Sequence, residues 1–284
     1  MSKLPILVQG SREKELLLRS LLREMRSVIV ALSGGVDSSY LSYIASQELG
    51  NNALAVTADS PSYPHSLKEE TIKFTALYGI RHEIITTDEI NDERYLSNGP
   101  DRCYYCKTEL FEKLIEMARK RGFNGVCDGN NYDDKSDYRP GLVAARQLGV
   151  RSPLMEAGMT KSDIRQMSRL AGLPVWDKPA QACLSSRVPH GQRITIQKLS
   201  AIERGEELLK SLGFRIYRLR HHGDIARIEL GIDELERALV PTTAQAIVNG
   251  IKSLGFRYVT IDLEGYRTGS VSAAKVDITV STRQ

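Results

Sequence analysis

The sequence predicts an α/β fold: a doubly wound parallel sheet with a smaller C-terminal α+β domain. Three observations carry this. Short apolar runs alternate with amphipathic stretches at helical spacing through residues 12–170. A proline-bearing stretch, Pro179 to Gly191, then breaks the pattern. Beyond it, Leu209-Lys-Ser-Leu-Gly-Phe-Arg215 returns as Ile251-Lys-Ser-Leu-Gly-Phe-Arg257, two helix–glycine–strand units that are too few for a solenoid. We place the domain boundary after residue 186, giving domains 1–186 and 187–284.

The elements follow in order. Residues 12–26 read as an amphipathic helix with Leu16, Leu17, Leu18, Leu21 and Leu22 on one side. Val28 to Leu32 is a buried strand, followed by a glycine turn and a helix to Leu49. Ala53 to Ala58 is a second strand, 66–78 a helix with Gly79 at its end, and His82 to Thr86 a third strand. A helix over Lys107 to Lys120 precedes a fourth strand, Gly125 to Asp128. A helix near 140–148 follows, and Thr160 with Asp163 three residues on predicts a capping box. The second domain reads as a helix over 196–212, strands over 214–220 and 225–230, a helix over 233–254 broken at Pro241, and a strand over 256–263. The last 20 residues have little apolar pattern and read as loose.

The chain has 284 residues with 41% hydrophobic and 26% charged, the composition of a globular protein. No apolar run approaches the ~20 residues that span a bilayer, and the N-terminus does not read as a signal peptide, so a cytoplasmic protein without a membrane partner is expected. A net charge of +4, mostly beyond residue 189, leaves no nucleic-acid footprint, and no stable nucleic-acid partner is expected. Four cysteines do not make a disulfide framework; in a reducing compartment they are metal ligands, reactive thiols or core residues.

Ser33-Gly34-Gly35-Val36-Asp37-Ser38-Ser39 is the strongest motif. It joins a buried strand to a helix, at the strand end where such sheets bind ligands. Segments 59–63 and 128–141 fall at equivalent ends. Glycines allow a tight turn and close approach, and free amides at a helix start favour a phosphate. Asp37 is out of place beside an anion unless a cation is present, which points to Mg²⁺. The string is neither a Walker A loop nor Gly-x-Gly-x-x-Gly.

This string resembles the signature of the PP-loop ATP pyrophosphatases, whose fold is of the adenine nucleotide α-hydrolase type. The resemblance implies that ATP adenylates an oxygen, pyrophosphate leaves, and a nucleophile displaces AMP. It also implies a phosphate-reaching lysine after the fourth strand. Lys161 in Met159-Thr-Lys-Ser-Asp-Ile-Arg165 matches, although a solvated first-turn lysine reads the same way from sequence.

Cys103 and Cys106 form a Cys-x-x-Cys ahead of the predicted helix, and Cys183 comes after the last segment of the first domain. A redox pair, zinc, an iron–sulfur cluster or two incidental cysteines all remain open. Structural zinc wants four ligands, whereas three thiolates suit a [4Fe–4S] cluster with one open iron. Lys178 and Arg187 near Cys183 favour its thiolate. Cys127, inside an apolar run, reads as core.

Together these pieces resemble the LarE family, the ATP-dependent sulfur transferases of nickel-pincer nucleotide synthesis for lactate racemase. The match rests on the Ser33–Ser38 string, Pro100-Asp-Arg-Cys-Tyr-Tyr-Cys-Lys107, Asp137-Tyr-Arg-Pro-Gly141, Ala182-Cys-Leu-Ser-Ser-Arg187, Asp224-Ile-Ala-Arg-Ile-Glu229 and Leu254-Gly-Phe-Arg-Tyr-Val-Thr-Ile-Asp-Leu263. It implies a pyridinium dicarboxylate mononucleotide as substrate, adenylated with ATP and Mg²⁺ and converted to thiocarboxylates. Nucleotide binding falls to Ala31, Ser33, Gly34, Gly35, Val36, Asp37, Ser38, Ser39 and Asp128. Catalysis falls to Cys183, Asp37, Lys161 and Arg187. Substrate binding falls to Arg139, Glu206, Arg218, Arg220, Glu229 and Arg257. Cys103, Cys106 and Cys183 are expected to hold a [4Fe–4S] cluster carrying a labile sulfide. In members lacking the Cys-x-x-Cys, the cysteine matching Cys183 gives up its own sulfur instead. Partners are expected among the other nickel-pincer nucleotide synthesis proteins, and the chain is expected to be a homo-oligomer, up to a hexamer, built through the second domain.

Arg215, Arg218, Arg220, His221, His222 and Arg227 crowd one short stretch. Strand alternation puts Arg218 and Arg220 on one face, for an anionic nucleotide or as basic gatekeepers of a solvated edge strand. Two rival functions are a PP-loop tRNA 2-thiolase, against which the mild charge weighs, and a non-catalytic adenine-nucleotide sensor, which leaves three cysteines without a role.

Overall fold

The computed structural model describes residues 6–136, 140–179 and 182–267. The chain divides into two compact units, 1–182 and 183–284.

In the first unit, strands β1 (Val28–Ala31), β2 (Ala53–Asp59), β3 (His82–Thr86) and β4 (Gly125–Cys127) form one sheet in the order β3-β2-β1-β4, parallel throughout. The helices are α1 (Ile6–Met25), α2 (Val36–Leu49), α3 (His65–Leu77), α4 (Glu93–Leu96), α5 (Arg102–Arg121), α6 (Pro140–Gln147), α7 (Pro153–Glu156) and α8 (Lys161–Leu170). Alternate residues of β1 feed two separate cores, as a doubly wound sheet requires. Val28 and Val30 pack with Leu18, Leu22, Tyr40, Ile44 and Ile164 from α1, α2 and α8. Ile29 and Ala31 pack with Leu110, Phe111 and Leu114 of α5 on the other face. Chain order runs outward from β1 to β3 on one side and resumes with β4 on the other. The switch point therefore lies between β1 and β4, where the loops after those strands diverge and leave a crevice.

Thr160 caps α8 through the expected capping box with Asp163. The start of α5 differs from expectation. It begins at Arg102 rather than Lys107, so Cys103 and Cys106 sit inside its first turns. Pro100 is the last residue that resists helix, and Tyr104 is held by its hydroxyl on Gln147 of α6 at 2.7 Å.

In the second unit, β5 (Tyr217–His222) pairs antiparallel with β6 (Ile225–Leu230), and β7 (Tyr258–Ile261) pairs parallel with β6. Helices α9 (Ile196–Ser211), α10 (Leu235–Leu239) and α11 (Pro241–Lys252) complete it, with the expected break at Pro241. The internal echo is structural. Gly213 and Gly255 both take positive φ after a helix, and Phe214 and Phe256 are both buried. β5 starts three residues later than expected because the amides of Arg215 and Ile216 donate to the Glu234 carboxylate at 3.0 Å instead of joining a ladder. β7 is shorter than expected at both ends, spanning Tyr258–Ile261. Part of the stretch taken as a linker is a 3₁₀ turn, Leu184–Arg187, with Leu184, Ser185 and Arg187 buried. The tail beyond residue 267, read as loose, lies outside the described residues.

Candidate active site

The loop after β1 is shaped by two serines. Ser38 accepts the Ser33 amide on its Oγ at 3.1 Å, and the two hydroxyls meet at 3.0 Å. Gly34 takes φ 72°, and a Cβ there would lie 2.4 Å from Thr71 Oγ1. Gly35 is the N-cap of α2 and has no side chain to occupy the helix amides, which leaves that end open to an anion.

A cleft of about 330 Å³ opens beside the loop, at the switch point. Of the nucleotide set, Ala31, Ser33, Gly35, Asp37, Ser38 and Asp128 line it. Val36 packs in the core, Ser39 is buried, and Gly34 turns against α3. Asp128 is held by Ser152 Oγ at 2.7 Å and by the side chain of Asn130. Burial pushes its carboxyl up, with Ser152 and Asn130 opposing.

Lys161 reaches the loop. Its Nζ lies 2.5 Å from Asp37 Oδ2, and its amide donates to Asp133 at 2.8 Å. The solvated first-turn reading of this lysine is thereby set aside. Burial pushes the Asp37 carboxyl up while Lys161 pulls it down. Asp37 Oδ1 is buried without a hydrogen-bond partner. An unsatisfied carboxylate oxygen facing a phosphate loop fits a hard divalent cation such as Mg²⁺.

None of the four cysteines is disulfide-bonded. Cys103 is exposed and lines the cleft beside Lys107, while Cys106 sits one helical turn on. Cys127 is fully buried, 3.8 Å from Met25 Sδ, and its thiol is pushed up by burial, as a core residue's should be. Among the described residues no three His, Cys, Asp or Glu side chains gather where they could hold a metal.

The second unit carries an ionic layer on one face of its sheet. Arg187 grips Glu206 with Nε and Nη2 at 2.9 and 3.1 Å and donates to the Cys183 carbonyl at 2.9 Å. Arg220 binds Glu229 with Nε and Nη2 at 3.0 and 2.8 Å and donates to the Ser186 carbonyl at 2.9 Å. Arg227 joins Glu229 to Asp262. Arg218 stacks over Tyr266, and burial with Arg187 nearby holds its guanidinium below the usual range. Arg218 and Arg220 are only 7% and 6% exposed, which rules out a solvated edge. The layer fastens the Cys183–Arg187 segment by two of its carbonyls. Arg187, Arg218 and Arg220 are buried in the layer beside Glu206 and Glu229. Arg257 does not join it. It is exposed beside Tyr258, which pairs with Ile225 at the far end of β6 from Glu229. Arg139 lies outside the described residues.

The NAD synthase family model matches residues 12–122. An uncharacterized protein of Synechocystis is 43% identical over 90% of this chain and 95% of its own. The pyridinium-3,5-bisthiocarboxylic acid mononucleotide synthase of Lactiplantibacillus plantarum is 36% identical over 91% of this chain and 94% of its own. The chain belongs to the LarE family. It is an ATP-using enzyme of the PP-loop class. A tRNA-specific 2-thiouridylase of Leptospira biflexa is 25% identical and matches 56% of this chain and 52% of its own. No described helix of this LarE-family chain is long and apolar enough to cross a membrane.

Sequence reasoning gave no individual role to several residues in and beside the LarE-family cleft. Lys107 and Asn130 line it, Asn131 donates to Asp37 at 3.4 Å, and Lys178, expected only as a neighbour of Cys183, has its Nζ 3.2 Å from the Gly34 carbonyl. Gly129 was also missed, although a glycine directly after a strand end at a switch point signals close backbone approach.

Proposed function

We propose that the chain is an ATP-dependent sulfur transferase that converts the carboxylates of a pyridinium dicarboxylate mononucleotide to thiocarboxylates for the nickel-pincer nucleotide. The Asp37–Lys161 pair at an open phosphate loop is the observation that carries the adenylating half. A substrate carboxylate oxygen attacks the α-phosphorus of ATP, and pyrophosphate departs with the broken P–O bond's electrons. The loop amides and Lys161 stabilise the charge that builds on the leaving phosphates. Asp37 would hold Mg²⁺, which would supply neutralisation of negative charge there. A sulfide-level sulfur then attacks the acyl carbon, the acyl–oxygen bond breaks with its electrons going to AMP, a far better leaving group than oxide, and a thiocarboxylate remains. Asp128 and the other cleft residues of the nucleotide set hold the adenylate in place.

The ionic layer of the second unit supports binding of the substrate phosphate by Arg218 and Arg220, and Arg187 holds the segment that carries Cys183. Arg139 and Arg257 complete the proposed substrate set from the resemblance alone. The sulfur carrier is proposed to be a [4Fe–4S] cluster on Cys103, Cys106 and Cys183, an assignment that rests on the thiol count. Such a cluster would offer a labile sulfide at its open iron. Other enzymes of nickel-pincer nucleotide synthesis supply the substrate and take the product, and the chain acts as a homo-oligomer in the cytoplasm.

The test uses anaerobically purified protein, ATP and the dicarboxylate mononucleotide. Asp37→Ala should abolish pyrophosphate release. Cys183→Ala should leave pyrophosphate release nearly intact while stopping thiocarboxylate formation, read by mass spectrometry. Thiolation at the normal rate by Cys183→Ala would remove that residue from the mechanism. Iron and labile-sulfide analysis of the same sample decides the carrier: a colourless, iron-free protein that stops after one sulfur per chain assigns the sulfur to Cys183 itself.

A further inference from the structure

The pair Gly34–Gly35 is the softest point of the phosphate loop. Glycine takes either sign of φ at little cost, so a peptide flip there is open to the bare chain. Such a flip would aim carbonyl oxygens, rather than amides, at a bound phosphate. Something must hold the productive orientation, and the structure shows two donors placed to do so.

The Ser33 carbonyl accepts from Tyr63 Oη at 3.3 Å, and the next carbonyl, Gly34, accepts from Lys178 Nζ at 3.2 Å. In a trans peptide the following N–H points opposite to the C=O. The amides of Gly34 and Gly35 therefore face away from Tyr63 and Lys178. Among the described residues neither amide has an acceptor. Ser33 and Gly35 line the cleft; Tyr63 and Lys178 stand outside its lining. Both donors are themselves fixed. The Lys178 side chain is only 16% exposed and meets Glu70 at 2.8 Å. The Tyr63 hydroxyl is shared with Thr71 at 3.1 Å. Burial pushes that phenol up to about 12, so it stays a protonated donor at neutral pH. Glu70 and Thr71 are neighbours on α3, and Thr71 also fills the space a Gly34 side chain would need.

We propose that Lys178 and Tyr63 are positioning residues that grip the phosphate loop by two successive carbonyls and so aim its amides at the ATP phosphates. This rests on the reading of the cleft as the ATP site. Lys178 is a positioning residue rather than a catalytic one: its ammonium touches the loop backbone from the side away from the cleft.

The experiment measures binding of α,β-methylene ATP by calorimetry, together with KM for ATP, kcat for pyrophosphate release and the urea midpoint. The variants are Lys178→Met, Lys178→Arg and Tyr63→Phe. Loss of a hydrogen bond from a charged donor predicts about tenfold weaker analogue binding for Lys178→Met, with about threefold for Tyr63→Phe. KM should rise in step, the urea midpoints should hold, and Lys178→Arg should restore binding to within about threefold of the parent. Binding by Lys178→Met within about twofold of the parent overturns the grip, since a lost charged hydrogen bond costs more than that. So does Lys178→Arg binding no better than Lys178→Met, which would make the site merely structural. A parent protein that fails to bind the analogue overturns the ATP reading itself, a separate result.

Discussion

Gly129→Ala is expected to cut ATP-dependent pyrophosphate release about a hundredfold while the protein stays folded, because a misplacement near 1 Å costs that much. The added Cβ would fall 2.9 Å from both Cα and N of Ser38 and 3.0 Å from its Cβ. Two of those atoms are backbone and cannot swing aside. Either the loop after β4 or the first turn of α2 has to move. The first carries Asp128 and Asn130, and the second carries Asp37 and the Ser38 hydroxyl that organises Ser33. Each movement opens the cleft at the switch point. Gly10→Ala is the control. It lies in α1, has nothing within 4 Å of its added Cβ, and should be neutral or slightly stabilising. Pyrophosphate release and far-UV circular dichroism check both variants. Gly129→Ala activity within about threefold of the parent would show that the two loops tolerate the separation.

How much of this was legible in the sequence follows from what each feature depends on. Strands β1 and β2 are buried on both faces over most of their length and stand out as apolar runs, whereas β3 at the sheet edge has no fully buried residue. The phosphate loop is local, with strand, glycines and helix start contiguous, and of its residues Ser33, Gly35, Asp37 and Ser38 line the cleft. Features that depend on a distant partner were not legible. The start of α5 carries no helical periodicity in Arg-Cys-Tyr-Tyr-Cys, and packing against α6 decides it. β5 lost its first residues to Glu234, a side chain 19 positions away whose capture of two amides has no local signal. Lys161 was named from family resemblance, because no spacing rule links it to Asp37. Gly129 and Lys178 act on backbone atoms of another segment, and a side-chain motif does not record that. Arg257 was named from the family resemblance, yet it ends the second copy of a packing unit whose two phenylalanines are buried while this arginine is exposed.

Glu229→Ala should be the most destabilising substitution in the second unit, at about 3–5 kcal/mol, because it strands buried cations without their counter-charge. Glu229 is 1% exposed. It takes a two-pronged grip from Arg220 and a further hydrogen bond from Arg227 at 2.9 Å. Removing it takes the carboxylate from Arg220, which is only 6% exposed and lies on the same sheet face as Arg218 and Arg227. Glu206 cannot take over, since both of its oxygens are engaged by Arg187 and the Leu219 amide. Arg257→Ala is the contrast: exposed and outside the layer, it should change stability by no more than about 0.5 kcal/mol. Urea unfolding followed by far-UV circular dichroism measures both. The layer's purpose makes the result informative in a second way. If the layer is built to take a phosphate, inorganic phosphate should raise the urea midpoint of the parent protein, because a ligand of the native state stabilises it by mass action. An unchanged midpoint at high phosphate, with Glu229→Ala costing under about 1 kcal/mol, would mean that the arginines balance one another through solvent and that the layer selects no anion.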